Sequence, residues 1–301
     1  MNAFIRKTLL FIGIFVLGLL ACIEIMSYLY YKRVASQPLE FSIQTVFLGD
    51  SHIQLAINDT LLTQSKNLAQ SSEPLYFSYY RLKTIITNNP SVKTVCLGFS
   101  YHSISSYYDE FIDGKYSNAV STRYFLELPF MEQMKLLYAN RSDIFSYIKV
   151  VFKVGALAIL SDEKPLPEGF LNNFSDTKAD EMFMERRIKN QYYTEGHLYD
   201  FSSRNMAYLQ HIKTLCRQSN LRLVLMNTPL HPTYKNIVPQ KFLEQYKQLI
   251  TSLRIEELDL SQLLSDDSLF IPDGDHVSQT GAQRTTEYLG AQWGILKPAM
   301  R

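Results

Sequence analysis

Four short stretches of this 301-residue chain carry side chains able to do chemistry: Gly49-Asp50-Ser51-His52, Gly98-Phe99-Ser100-Tyr101, Asn227-Thr228-Pro229-Leu230-His231 and Asp273-Gly274-Asp275-His276. Ser51 follows an apolar run and a Gly-Asp turn. A serine so placed is presented at the end of a strand with backbone N–H groups beside it, which suits a nucleophile whose own amide helps to hold an oxyanion. Asp273 and His276 stand three residues apart. In a turn that spacing lets a carboxylate orient one imidazole nitrogen and leaves the other free as a base for a serine. Asp275 is a second carboxylate within reach of His276; the turn geometry favours Asp273. Each motif alone is common in proteins, and their occurrence together is the signal.

These residues need elements to position them. Short β-rich runs lie at Ile43–Leu48, Val92–Leu97, Leu221–Met226 and Ile255–Leu260, with a weaker strand at Lys66–Ala69 inferred from the alternation. Helical patterns separate them at Tyr79–Thr87, Ser203–Arg217 and Phe242–Leu253. A closing helix starts near Val277 with Ser278 as its cap. Strands alternating with helices imply βαβ units and a parallel sheet, and such sheets bind ligands beyond the carboxyl ends of their strands. Ser51, Ser100 and Asn227 all fall at such ends. Between about 103 and 201 the alternation lapses. That stretch is rich in Tyr and Phe, with helical patches at Phe130–Leu137 and Ile144–Ile159 and a proline-bearing loop at 164–168, and it reads as an inserted helical subdomain or cap, the alternative being that it simply extends the core.

The paired motifs resemble those of the SGNH, or GDSL-like, hydrolase superfamily. The pieces that carry the resemblance are Phe47-Leu48-Gly49-Asp50-Ser51, Asn67-Leu68-Ala69-Gln70-Ser71, Leu97-Gly98-Phe99-Ser100 and Asp273-Gly274-Asp275-His276. They span about 43–102 and 205–290 and leave the insertion unmatched. The resemblance implies a flavodoxin-like three-layer α/β/α sandwich, with Ser51 as nucleophile, His276 as general base and Asp273 as the orienting acid. It implies oxyanion donors at the second turn (Ala69, Gln70, Ser71) and third turn (Ser100). Here the chain departs from the family, which usually has a glycine at the second turn and an asparagine at the third. His52 is expected to line the entrance, with a structural role as its alternative, and Asn227 and His231 to contact substrate or else to form a capped turn before Pro232. The insertion, together with an apolar N-terminal run over Thr8–Tyr31 that reads as a membrane stalk, further resembles envelope proteins that acylate or deacylate extracytoplasmic polymers. The implied activity is an esterase or O-acyltransferase acting on acyl esters, acetyl above all, of an envelope or extracellular polysaccharide, and one partner it allows is a membrane-bound acyltransferase. The alternative is an SGNH-fold scaffold with little or no catalysis, suggested by Ser100 and by the aromatic insertion.

Composition narrows the field. Thirty basic residues balance 29 acidic ones, which argues against a nucleic-acid binder, and 39 aromatic residues argue against disorder. The three cysteines are too few and too far apart for a disulfide framework. Asp273-Gly274-Asp275 lacks the further acids of a calcium loop, no Cys/His cluster has zinc spacing, and no phosphate-binding glycine motif occurs, so no metal or cofactor is expected. The averages hide a segmented chain. From Thr8 to Tyr31, 19 of 24 residues are apolar, flanked by Arg6-Lys7 and Lys32-Arg33. As a helix this run reaches about 36 Å, against about 30 Å of hydrocarbon. An uncleaved anchor over 1–33, carrying a domain over 34–301, is the leading reading; a cleaved signal peptide and a lipoprotein acylated at Cys22 are the others. In a bacterium, the anchor reading gives a single-pass protein of the cytoplasmic membrane. In all three readings the domain faces the extracytoplasmic side.

Overall fold

The computed structural model describes residues 2–160, 169–175 and 177–297, so the expected loop at 164–168 lies outside the described residues. Residues divide into two compact units: one formed by 1–37 with 117–166, the other by 38–116 with 167–301.

In the first unit α1 (Asn2–Tyr30) continues through a π-helical turn at Tyr31–Ala35. Ala3–Ala35 is the one helix among the described residues long and apolar enough to cross a membrane. Its two halves differ. Phe4, Leu9, Phe11 and Leu17 are exposed, whereas Ile23, Tyr30 and Val34 are buried.

Three later helices belong to this unit: α4 (Ser117–Tyr124), α5 (Phe130–Ala139) and α6 (Ile144–Leu160). The last two match the helical patches read from the sequence. Gln133 donates to Ser27 Oγ (2.7 Å) and Tyr30 donates to Glu127 (3.2 Å). Gly155 of α6 leaves room for the Met26 side chain of α1: a Cβ there would stand 2.8 Å from Met26 Sδ.

The second unit is built on a five-stranded parallel sheet of β1 (Thr45–Leu48), β2 (Ser65–Asn67), β3 (Thr94–Gly98), β6 (Arg222–Asn227) and β7 (Glu256–Asp259), in the order β2-β1-β3-β6-β7. A separate two-stranded ribbon, β4 (Tyr193–Thr194) and β5 (His197–Leu198), stands apart from it. Counting only main-sheet strands, the order is 2-1-3-4-5, the flavodoxin-like doubly wound arrangement. The chain reverses direction across the sheet between β1 and β3, which makes their carboxyl ends the switch point.

The period of two in each strand sorts the core. Val46, Leu48, Val95, Leu97 and Leu225 point to one face, against α3 (Leu75–Asn88), α8 (Ser203–Gln218) and α10 (Gln240–Leu253). Phe47, Cys96, Val224 and Met226 point to the other, against α2 (Ser51–Ala56) and α11 (Gln279–Trp293). The three central strands are therefore apolar on both sides, as a sheet covered by helices on both faces requires. Edge strand β7 is largely exposed, and Glu256 there pairs with Arg222 of β6. All four β-rich runs and the inferred fifth form strands, and Ser278 caps α11 by accepting the Gly281 amide. Residues 103–116 and 167–201 of the expected insertion fall in this unit, so only its middle part separates from the sheet domain; the later part includes α7 (Glu181–Tyr192), whose N-cap is Asp180.

Candidate active site

Ser51 is the first residue of α2. Gly49 takes φ = 130°, a conformation that side chains resist, to turn the chain out of β1. Asp50 then caps the helix by accepting the His52 amide (2.9 Å). The Ser51 amide, at the first helical position, has no acceptor within its own helix. From the other end of the chain, Asp273 folds a tight turn: its Oδ1 accepts the amides of Asp275 (3.0 Å) and His276 (3.1 Å). The same carboxylate's Oδ2 lies 2.8 Å from His276 Nδ1, and His276 Nε2 lies 2.8 Å from Ser51 Oγ. The tautomer that satisfies both contacts donates Nδ1–H to Asp273 and leaves Nε2 to accept the serine hydroxyl. Burial alone would raise the Asp273 pKa; the neighbouring His276, with Arg187 beyond it, outweighs burial and holds it below the carboxylate range. The spacing argument chose Asp273 over Asp275 as the partner of His276, and that is the pair in contact.

The expected oxyanion amides are differently placed. The Ala69 amide donates to Asn67 Oδ1 (3.0 Å), that of Gln70 to the Gly49 carbonyl (3.0 Å), and that of Ser71 to Gln54 Oε1 (2.9 Å). All three are spent on holding the turn, so none is left for a substrate oxygen. The next residue, Ser72, adopts a left-handed φ of 61°, and its amide makes no hydrogen bond among the described residues. Ser100 is buried. Its amide donates to Ser103 Oγ (3.0 Å), while its hydroxyl sits in a capping-box arrangement without a hydrogen bond of standard geometry.

Two further expectations are corrected. Asn227 is fully buried, and its Nδ2 donates to Asp259 (3.2 Å) of β7, so it braces the edge strand and presents no surface to a substrate. His52 does not line an entrance. It is buried and lies flat between His276 (ring centroids 4.5 Å apart) and His102 (4.1 Å). Its Nδ1 contacts Asp50 Oδ1 (3.0 Å) and its Nε2 forms an ion pair with Asp275 Oδ1 (2.9 Å) that is off the line of a good hydrogen bond. Burial opposes charge on His52, but Asp275 and Asp50 overcome it and push the pKa up to about 10. The two carboxylates, in turn, are held well below the usual range despite their burial, Asp50 by His52 and His102, Asp275 by His52 and Arg187.

Around this core stand further groups, of which Tyr108, Arg187 and Gln191 carried no signal in the sequence. His102 Nε2 contacts Asp50 Oδ2 (3.0 Å) and Tyr108 donates to the same oxygen; burial and the His52 charge lower the His102 pKa. Arg187 Nε (2.7 Å) and Gln191 Nε2 (2.8 Å) from α7 both donate to Asp275 Oδ2. His231 caps α9 (Pro232–Ile237), contacts Asp267 (2.9 Å), and donates its backbone amide to the Gly274 carbonyl of the base turn (2.8 Å).

No family model matches the chain, and no curated protein matches it. Solved structures do show likeness. A protein of Streptococcus pneumonia, provisionally assigned as a platelet activating factor, shares 12% identity over 94% of this chain and 98% of its own (TM-score 0.41). A provisionally assigned acylhydrolase of Bacteroides fragilis shares 11% over 86% and 89% (TM-score 0.40). A GDSL-like lipase of Bacteroides thetaiotaomicron shares 9% over 86% and 92% (TM-score 0.39).

Proposed function

We propose that the chain is a membrane-anchored serine hydrolase or acyltransferase of the SGNH type, acting on acyl esters of an envelope or extracellular polysaccharide. The observation that carries the chemistry is the unbroken chain of contacts from Ser51 through His276 to Asp273 at the switch point of the sheet. In this reading Ser51 Oγ attacks the acyl carbonyl carbon while His276 Nε2 takes its proton, and the tetrahedral oxygen gathers negative charge. Collapse breaks the ester bond, and the departing alcohol oxygen takes the proton from His276. His276 then deprotonates a second acceptor, which attacks acyl-Ser51; the acyl–Ser51 bond breaks and His276 returns the proton to Ser51 Oγ, so that water gives a carboxylic acid and a sugar hydroxyl gives a new ester. The Ser51 amide supplies one oxyanion donor. The Ser72 amide is the candidate for the second, because the three amides before it are engaged.

A polymer substrate agrees with the family resemblance and with an anchor that keeps the enzyme at the envelope. Ile23, Tyr30 and Val34 pack within the first unit, which favours retention of α1 over cleavage after residue 33; cleavage before Cys22 would spare those contacts. A second reading, a scaffold with little catalysis, draws on the engaged amides at 69–71 and on Ser100 in place of the family's asparagine. The test is covalent labelling of the full chain in detergent by a serine-reactive fluorophosphonate, followed by turnover of short acyl esters. Labelling and turnover that disappear in Ser51→Ala support the catalytic reading. Absence of both in the wild type supports the scaffold.

A further inference from the structure

The triad accounts for Asp273, His276 and Ser51, and leaves the buried cluster behind it without a task. That cluster has a specific layout. Asp50 immediately precedes the serine, and Asp275 immediately precedes the histidine. His52 reaches both, with one ring nitrogen on each carboxylate (3.0 and 2.9 Å). We propose that His52 is a positioning residue which braces the nucleophile turn against the base turn and backs the ring of His276. The proposal rests on the serine-hydrolase reading of the triad.

Three observations support it. The Asp273 contact fixes His276 at Nδ1 but leaves the ring able to tilt about that bond, which would swing Nε2 away from Ser51. His52 lies over one face of the ring at 4.5 Å, with planes 28° apart, and blocks the tilt on that side. His52 is itself pinned from behind by His102 at 4.1 Å. Both arms of the brace are anchored beyond it: Asp50 accepts from Tyr108 and contacts His102, and Asp275 accepts from Arg187 and Gln191. Two buried carboxylates, Asp50 and Asp275, face the His52 ring, and Arg187 donates to Asp275 from the far side. A ring whose two nitrogens each face a buried carboxylate is kept charged, and keeping it charged keeps both arms closed.

The experiment uses the full chain in detergent micelles, labelled with ¹⁵N-histidine. In the wild type, one of the six histidines should hold both ring protons well above neutral pH, and a strongly downfield Nδ1 proton should mark the His276–Asp273 contact. In His52→Gln the first signal disappears and the second broadens. If esters are turned over, kcat per folded molecule falls about a hundredfold, as expected for misplacing a base by about 1 Å, with KM little changed. Asp275→Asn, which keeps the shape but opens one arm, should show the same split between kcat and KM even if His52→Gln folds poorly. A merely structural role would lower the unfolding temperature and leave kcat and the downfield proton as they were, and that result overturns the proposal. So does a wild type with every histidine neutral at pH 8. If the wild type neither labels nor turns over, the hydrolase reading falls, and the proton spectra still decide the brace.

Discussion

Gly49 and Gly98 end neighbouring parallel strands in such close contact that a Cβ on Gly49 would stand 3.1 Å from both Cα and N of Gly98. A Cβ on Gly98 would stand 2.5 Å from Cγ1 of Ile53, on the helix that begins with Ser51. The two glycines bring β1, β3 and α2 together at the switch point.

Gly98→Ala should push Ile53 and with it the first turn of α2. The overpacking should cost about 1–3 kcal/mol, measurable by denaturant unfolding, and should slow fluorophosphonate labelling of Ser51. Unchanged labelling in a destabilised variant would mean that α2 does not transmit the strain to the serine.

Asp273→Asn keeps the turn's shape but removes the charge that orients His276. In a serine hydrolase using this triad, loss of the orienting charge costs about 10⁴ in kcat, read as the rate of ester turnover by the full chain. Asp275→Asn should cost less, because Asp275 does not touch the base. Equal losses would reassign the orienting acid.

Ser72 holds a left-handed conformation that costs a non-glycine residue about 1–2 kcal/mol. Ser72→Gly should therefore raise the unfolding temperature while retaining the amide, and labelling should be preserved. If labelling is lost, the Ser72 side chain and not its amide is what the site uses.

Stability should peak in slightly acidic to neutral solution. His52 has a folded pKa raised to about 10 from the ordinary 6.5, so its contribution is complete below 6.5 and drains away as pH climbs toward 10. His102 is shifted the other way and loses stability as pH falls below 6.5. The depressed carboxylates Asp50, Asp273 and Asp275 contribute above their ordinary range near 4 and lose that contribution as pH falls through it. Thermal unfolding across this range should show a flatter alkaline limb in His52→Gln. An unaltered limb would place the alkaline loss in other groups.

The alternation of strand and helix was legible from local patterns, because the apolar strands β1, β3 and β6 are covered on both faces and read as continuous runs. The serine and the Asp-His pair were legible from their turns, each made within a few residues. Less local features were hidden. Whether the Ala69, Gln70 and Ser71 amides are free depends on Asn67, Gly49 and Gln54, and no motif records that. Asn227 stands at a strand end like Ser51, yet its neighbour is the edge strand, where Asp259 claims it. Arg187 and Gln191 sit in a helix of the expected insertion, 84 or more residues from the Asp275 they hold. His52 looked like a rim residue because it follows a serine expected at a strand end, although the next helical position points inward.

The packing of α5 and α6 on the second half of α1 bears on how this molecule could leave a membrane if α1 anchors it there. A protease that cut between Arg33 and the rest of the chain would not free an intact protein from a passive tether. It would remove Ile23, Met26, Ser27 and Tyr30 from their seats and bare the apolar side of the helices that cover them. Shedding by such a cut and survival of the first unit are therefore mutually exclusive.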